Sequence, residues 1–199
     1  GTQDSLPRIS KTTVGIDISR NYYEGVHTFP GPAVYTVFFE DPNRNGGVVN
    51  IPGSVNIPFY VESQIVINPV LGYNNSPVLL QPPIDNGAIG KIFIHNANAY
   101  DPDGDSLSYE LIKCKGINGL DIPGYFYPAA STSFTLDAVT GDLIWNTPTI
   151  QGEFNVAFLI REWRNGVNIG YVERDMQIDI VVTNDNPPVI NALNDICVT

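Results

Sequence analysis

Three carboxylates fall on alternate residues in the stretch Ala99-Tyr-Asp101-Pro-Asp103-Gly104-Asp105, bent by Pro102 and Gly104. Residue types in this order suit two chemistries. Asp, Pro and Gly are ordinary turn residues, so the stretch reads as a solvated turn. The same carboxylates, Asp101, Asp103 and Asp105, could converge on a hard cation such as Ca²⁺, which takes about six to eight oxygen ligands. Directly afterwards Leu107, Tyr109 and Leu111 alternate with Ser106, Ser108 and Glu110. That period of two predicts a half-buried strand leaving the acidic loop.

Other catalytic patterns find little support. His27 and His95 stand far apart, without a paired metal-ligand spacing. There is no Gly-x-Ser-x-Gly elbow, and Asn45-Gly-Gly47 lacks the lysine and helix of a phosphate loop. The acids sit in turns rather than in a recognisable pair for glycoside cleavage. Trp145 belongs to an alternating run and reads as core; Trp163 suits core or sugar stacking equally. Arg161, Glu162 and Arg164 read as an exposed charged hairpin, with Glu162 the exception if a metal binds. The chain is expected not to be an enzyme.

With 21 acids against 10 bases the formal net charge is −11. Such a surface repels phosphate backbones and anionic membranes, so no nucleic-acid partner is expected. No run of 18 apolar residues appears, so no membrane span is expected. The two cysteines, Cys114 and Cys197, are neither a disulfide framework nor a zinc cluster, and their pairing is open.

The elements that must position these residues are strands. Eighteen Gly and 16 Pro leave little room for long helices, and short alternating runs predict an all-β sandwich. Tyr35, Val37 and Phe39 are expected to form one inward face. Val55 to Ile67 predicts a strand or two broken at Pro58, and Ile89 to His95 another. Leu143 and Trp145 follow a Thr140-Gly141 turn. Phe154, Val156, Phe158 and Ile160 keep a clean period of two, Asn165-Gly166 predicts a hairpin turn, and Met176, Ile178, Ile180 and Val182 form the return strand. The Tyr35 strand before Arg44-Asn45-Gly46 resembles the Phe154 strand before Arg164-Asn165-Gly166, which suggests one late hairpin used twice. Asn74-Asn75-Ser-Pro77 looks like a domain boundary. The Ile117–Ser133 insertion is long and rich in Tyr and Phe, and reads as recognition surface or as cover for an open sandwich edge.

Two families are resembled. His27-Thr-Phe-Pro-Gly-Pro-Ala-Val-Tyr35-Thr-Val37 resembles the late-strand signature of PKD domains. Residues 75–190 resemble a cadherin-like, Ig-type module in five ordered pieces: Asn74-Asn75-Ser-Pro77, Asp85-Asn86-Gly-Ala-Ile-Gly90, Asp101-Pro-Asp103, Asp137-Ala-Val-Thr140-Gly141-Asp-Leu143 and Asn184-Asp185-Asn186-Pro187-Pro188. The chain also looks like tandem modules of large secreted bacterial surface proteins. The resemblance implies two Ig-like β-sandwich domains in tandem. Residues 1–73 would be a PKD-like unit, N-terminally incomplete because the chain begins mid-domain, or else unusually small; residues 74–190 a cadherin-like unit; residues 191–199 the start of a following module or a tail.

It further implies Ca²⁺ at domain junctions. The upstream junction would use Asn74 or Asn75, Asp101 and Asp103, with Glu162 near. The downstream one would use Asp85, Asn184, Asp185 and Asn186. The family's Leu-Asp-Arg-Glu piece is missing, and the upstream linker carries one carboxylate fewer, which implies weak binding of about 10⁻⁴–10⁻³ M. The function implied is a non-catalytic extracellular structural or adhesion module, secreted and at the cell surface, whose partners are neighbouring domains, surface proteins or glycans. The alternative is a carbohydrate-binding module of a secreted polysaccharide-degrading protein, with Trp163, or Tyr125 and Tyr127, as an aromatic platform.

Overall fold

The computed structural model describes residues 5–15 and 18–184. The chain divides into two compact units, Gly1–Pro32 and Ala33–Thr199. In the first unit, β1 (Arg8–Gly15) and β2 (Ile18–Tyr23) form an antiparallel ribbon with Arg8 opposite Tyr23. Its side chains are mostly exposed, and His27 meets Phe29 edge-on at 4.8 Å.

The second unit is an all-β sandwich. Its strands are β3 (Ala33–Asp41), β4 (Phe59–Ile67), β5 (Val78–Leu79), β6 (Ile84–Ala88), β7 (Phe93–Asn96), β8 (Ala99–Tyr100), β9 (Ser106–Ile112), β10 (Ala130–Leu136), β11 (Asp142–Pro148), β12 (Gly152–Arg164) and β13 (Val167–Val181). Apart from these, the described residues hold two short 3₁₀ turns, at Ser54–Asn56 and Ile117–Gly119. A six-stranded sheet runs β3-β4-β13-β12-β9, with β6 added parallel to β13; a three-stranded sheet runs β10-β11-β7.

The two sheets close on one core. Alternation on β12 points Phe154, Val156, Phe158 and Ile160 inward, and Met176, Ile178 and Ile180 do the same on β13. Phe93, Leu143 and Trp145 meet them from the smaller sheet. Trp145 is fully buried, lies edge-on to Phe154 at 4.9 Å, and donates its indole N–H to the Ala129 carbonyl at 3.0 Å. Asn165 and Gly166, both at positive φ, make the β12–β13 turn. Gly141 is needed on two counts: φ is +77°, and a Cβ there would fall 2.7 Å from the Tyr109 ring.

A second core lies on the far side of the large sheet. Val48, Ile51, Cys114, Ile122 and Tyr125 pack there on Ala157. Within the Ile117–Ser133 insertion, Ile122 and Tyr125 thus pack on a sheet face, and residues 130–133 belong to β10. Beneath the second core the Arg44–Asp175 ion pair, 2.6 Å apart, has side chains 1% and 0% exposed. Cys114 is buried and unpaired among the described residues; Cys197 lies outside them.

Three expectations are corrected. The division falls at 32/33 and not at 73/74, because β4 pairs with β13 (Ser63 opposite Val172) and so builds residues 33–73 into the second unit. The PKD-like stretch 27–37 straddles that division, and the described part of the first unit is a ribbon. Tyr35, Val37 and Phe39 do alternate, yet Val37 and Phe39 stay 48% and 52% exposed, since β3 is the sheet's outermost strand. The two late segments also differ: β3 is followed by the long connection 42–58, whereas β12 turns at once into β13.

Candidate functional site: an acidic corner closed by Arg164

Two ladders assemble the site. Strand β5 pairs antiparallel with β8, Val78 opposite Tyr100, so residues just before 78 must lie beside residues just after 100. Strand β9 pairs with β12, Ser106 opposite Trp163, which brings Asp105 next to Arg164. The inward row of β12 runs Phe158, Ile160, Glu162, Arg164 by simple alternation. The core row thus ends in a buried acid and a base under the acidic loop.

The loop is built around Asp101. Its Oδ1 accepts the backbone N–H of Asp103 at 2.8 Å and of Asp105 at 3.0 Å. Gly104, at φ +83°, completes the turn. Asp103 accepts the backbone N–H of Asn75 at 2.6 Å and its side-chain amide at 2.9 Å. Those two bonds hold Asp103 below the usual carboxylate range.

Arg164 joins the pieces. Its Nε donates to Asp105 Oδ1 at 2.9 Å, and its Nη2 makes a short bond to Asp105 Oδ2. Nη1 donates to the carbonyls of Leu71 and Tyr73, each at 2.8 Å. Nη2 also reaches Asn74 Oδ1 at 2.8 Å and Asp103 Oδ2 at 3.4 Å.

Glu162 is the most buried acid of this corner, with a hydrogen bond from the Asn74 side chain to support its charge. It is 1% exposed, and one carboxylate oxygen, Oε1, has no hydrogen-bond partner. Asp101 Oδ2 is likewise buried without a partner. Asp101, Asp105 and Glu162 each offer an oxygen within 4.8 Å of the others. Burial, with the charges of Asp101 and Asp105, pushes the Glu162 carboxyl up to about 7. Four carboxylates share one guanidinium, and the two buried unbonded oxygens belong to the acids that Arg164 leaves unsatisfied. The donor set is all oxygen, which suits a hard cation. The residues present therefore fit Ca²⁺: Asp101, Asp105 and Glu162 would hold it.

Of the residues expected at metal sites, Asn74, Asn75, Asp101, Asp103, Asp105 and Glu162 come together. Asn74 serves Arg164 and Glu162, and Asn75 serves Asp103, rather than standing free. The corner lies within the second unit, not at the division between units, because residues 33–73 share that unit's sheet. Asp85 lies apart on β6, where it meets the buried His95 Nδ1 at 2.9 Å. Asn184 is exposed beyond the end of β13; Asp185 and Asn186 lie outside the described residues.

Arg161, Glu162 and Arg164 do not form one exposed charged hairpin. Arg161 alone points outward, to Glu110 at 2.7 Å and over the Tyr171 ring. Trp163 donates its indole N–H to Ser108 at 2.8 Å. Tyr125 is buried, with its ring at 84° to Tyr127, so these two do not share a plane.

A second cluster is signalled by no sequence motif. Lys115 Nζ bonds Glu62 at 2.7 Å and lies 3.4 Å from Glu173. The hydroxyls of Tyr60 and Tyr171 also donate to Glu62, at 2.9 and 2.6 Å. Burial alone would raise the Glu62 carboxyl, but these donors outweigh it and bring it below its ordinary value. Glu173 keeps one buried oxygen without a partner, and burial pushes its carboxyl up to about 7.

No protein-family model matches the sequence, and no curated protein is similar to it. Among solved structures, a putative α-galactosidase from Bacteroides fragilis is similar over 59% of this chain and 19% of its own, at 14% identity and TM-score 0.35. A nucleoside hydrolase-related hypothetical protein from Saccharophagus degradans, described as associated with carbohydrate metabolism, is 19% identical over 56% of this chain and 27% of its own, with TM-score 0.38. The tandem Ig repeats of Dlar cover 77% of this chain and 84% of their own, at 11% identity and TM-score 0.30. The chain thus spans well under a third of the first two structures. No helix among the described residues is long and apolar enough to cross a membrane.

Proposed function

We propose that residues 33–184 form a non-catalytic, Ig-like structural or adhesion module of an extracellular multidomain protein, with Ca²⁺ held at the corner of Asp101, Asp105 and Glu162. Its partners in this reading are neighbouring domains of the same chain, surface proteins or glycans. One observation carries the metal reading: Glu162 is almost fully buried with an unbonded oxygen, beside two further carboxylates. A buried carboxylate is costly unless paired, protonated or bound to a metal. Arg164 directs its donors to Asp105, Asp103, Asn74 and two carbonyls, and Glu162 faces Asp101 and Asp105 with the Asn74 side chain as its hydrogen-bond donor. A divalent cation there offsets the repulsion among these three carboxylates.

Thermal unfolding of the whole chain at pH 8 tests this, in EGTA and then in millimolar Ca²⁺. Ca²⁺ at tenfold over its Kd contributes roughly 1.4 kcal/mol, or about 3–5 °C in Tm for a unit of this size. Glu162→Gln abolishes the shift. An equal Tm in EGTA and Ca²⁺ removes the metal from the reading and leaves the sandwich intact.

A further inference from the structure

We infer that Arg164 is the built-in cation of the acidic corner, and that its guanidinium clamps the Leu71–Asn75 segment onto the 101–105 loop without any metal. This goes beyond the Ca²⁺ reading and does not depend on it. The 71–75 segment leads from β4 to β5 and belongs to no ladder. Arg164 and Asp103 hold it in place of a ladder. Arg164 takes the carbonyls of Leu71 and Tyr73 and the Oδ1 of Asn74. Asp103 takes both donors of Asn75.

These are the ligand types a hard ion would gather: carboxylate, side-chain amide oxygen and backbone carbonyl. Here a planar fork, charged at all working pH values, gathers them instead. Nε and Nη2 grip Asp105 while Nη1 and Nη2 hold the segment. Position follows from the fold, since Arg164 is the last residue of β12 and its root is fixed by pairing with Val167. A lysine has the charge, but its three donors radiate from one nitrogen and cannot match the planar five-donor fork that grips Asp105 at two atoms while reaching Leu71, Tyr73 and Asn74. Arg164 is therefore a positioning residue: it sets where Asn74 and Asp103 stand, and with them the rim of the corner.

Hydrogen–deuterium exchange of the whole chain in EGTA tests the clamp, read on peptides covering 71–77 and 101–107. The wild type is expected to be protected at both. Arg164→Gln is expected to exchange at least about tenfold faster there, while peptides within 152–160 keep their protection and report an intact core. Arg164→Lys recovers little of the loss, which separates the fork from charge alone. Should Arg164→Gln disturb the core peptides, Asp105→Asn loosens the same grip from the other side, and a local loss of protection there upholds the clamp equally. Unchanged protection in Arg164→Gln overturns the inference. So does a wild type whose 71–77 peptide is protected only after Ca²⁺ is added, since the ion would then be the clamp. Loss in Arg164→Gln with no Ca²⁺ effect in either protein upholds the clamp and counts against the metal reading alone.

Discussion

Glu162 and Arg164 occupy consecutive inward positions of β12, and they answer the same acidic loop in opposite ways. Arg164 spends its donors on Asp105, Asp103, Asn74 and two carbonyls. Glu162, one row deeper, is left with an unbonded oxygen against Asp101 and Asp105. The corner is thus half neutralised: the outer acids have a cation of their own, and the inner ones do not. That asymmetry is what the proposed Ca²⁺ would correct.

The ion pair under the second core is expected to be the most sensitive polar contact away from the corner. Asp175 accepts from Arg44 at 2.6 Å and from Asn155 at 3.0 Å, in a site closed to water. Asp175→Asn leaves Arg44 buried without its counter-charge and is expected to cost about 3–5 kcal/mol in denaturant unfolding. A loss below about 1 kcal/mol would mean that water or another acid takes over the arginine.

Close approach of two backbones makes a sharper demand on Gly170. A Cβ there would lie 2.5 Å from the Gln64 carbonyl oxygen, where β4 joins β13. Backbone cannot swing aside as a side chain can, so Gly170→Ala is expected to destabilise by about 1–3 kcal/mol. Faster amide exchange in β4 than in β12 would locate the damage. Uniform exchange across both strands would contradict it.

Much of the sandwich was legible because its inner rows alternate without interruption. Phe154 to Ile160 and Met176 to Ile180 declare their faces in sequence, and Asn165-Gly166 declares the turn. The same alternation runs on to Glu162 and Arg164, so their inward direction was there to be read. Their burial was not, because what covers them arrives from residues 71–75 and 101–105, far away in the chain. The Tyr35 strand shows the converse. Its pattern reports an amphipathic strand, while the partner that would cover Val37 and Phe39 is a tertiary matter on which local sequence is silent. The polar Asn74-Asn75-Ser76 stretch read as a boundary for a similar reason: a loop clamped inside a unit and a linker between units share one composition. Only the β4–β13 ladder tells them apart.

Glu173 offers a pH test remote from the acidic corner. Its carboxyl is pushed by burial up to about 7, from an ordinary value of 4.5. The unfolded chain loses this proton first as pH rises, so the native state binds more protons between the two values and stability falls with rising pH. Below 4.5 both states are protonated, and above about 7 the loss is complete. Glu173→Gln is expected to remove that part of the slope, up to about 3 kcal/mol between pH 5 and pH 8, because one pKa unit is worth about 1.4 kcal/mol. Urea unfolding at the two pH values reads it. Parallel stability profiles for variant and wild type would show that Glu173 is ionised throughout.

The placement of the proposed ion is open to direct inspection. Crystals of the chain soaked in Tb³⁺, a Ca²⁺ substitute with a strong anomalous signal, should show one peak enclosed by the carboxylates of Asp101, Asp105 and Glu162, at about 2.3–2.6 Å from each. Arg164 should remain on Asp105. A peak confined to other surface acids, or no peak while all three side chains stay in place, would contradict a metal at this corner.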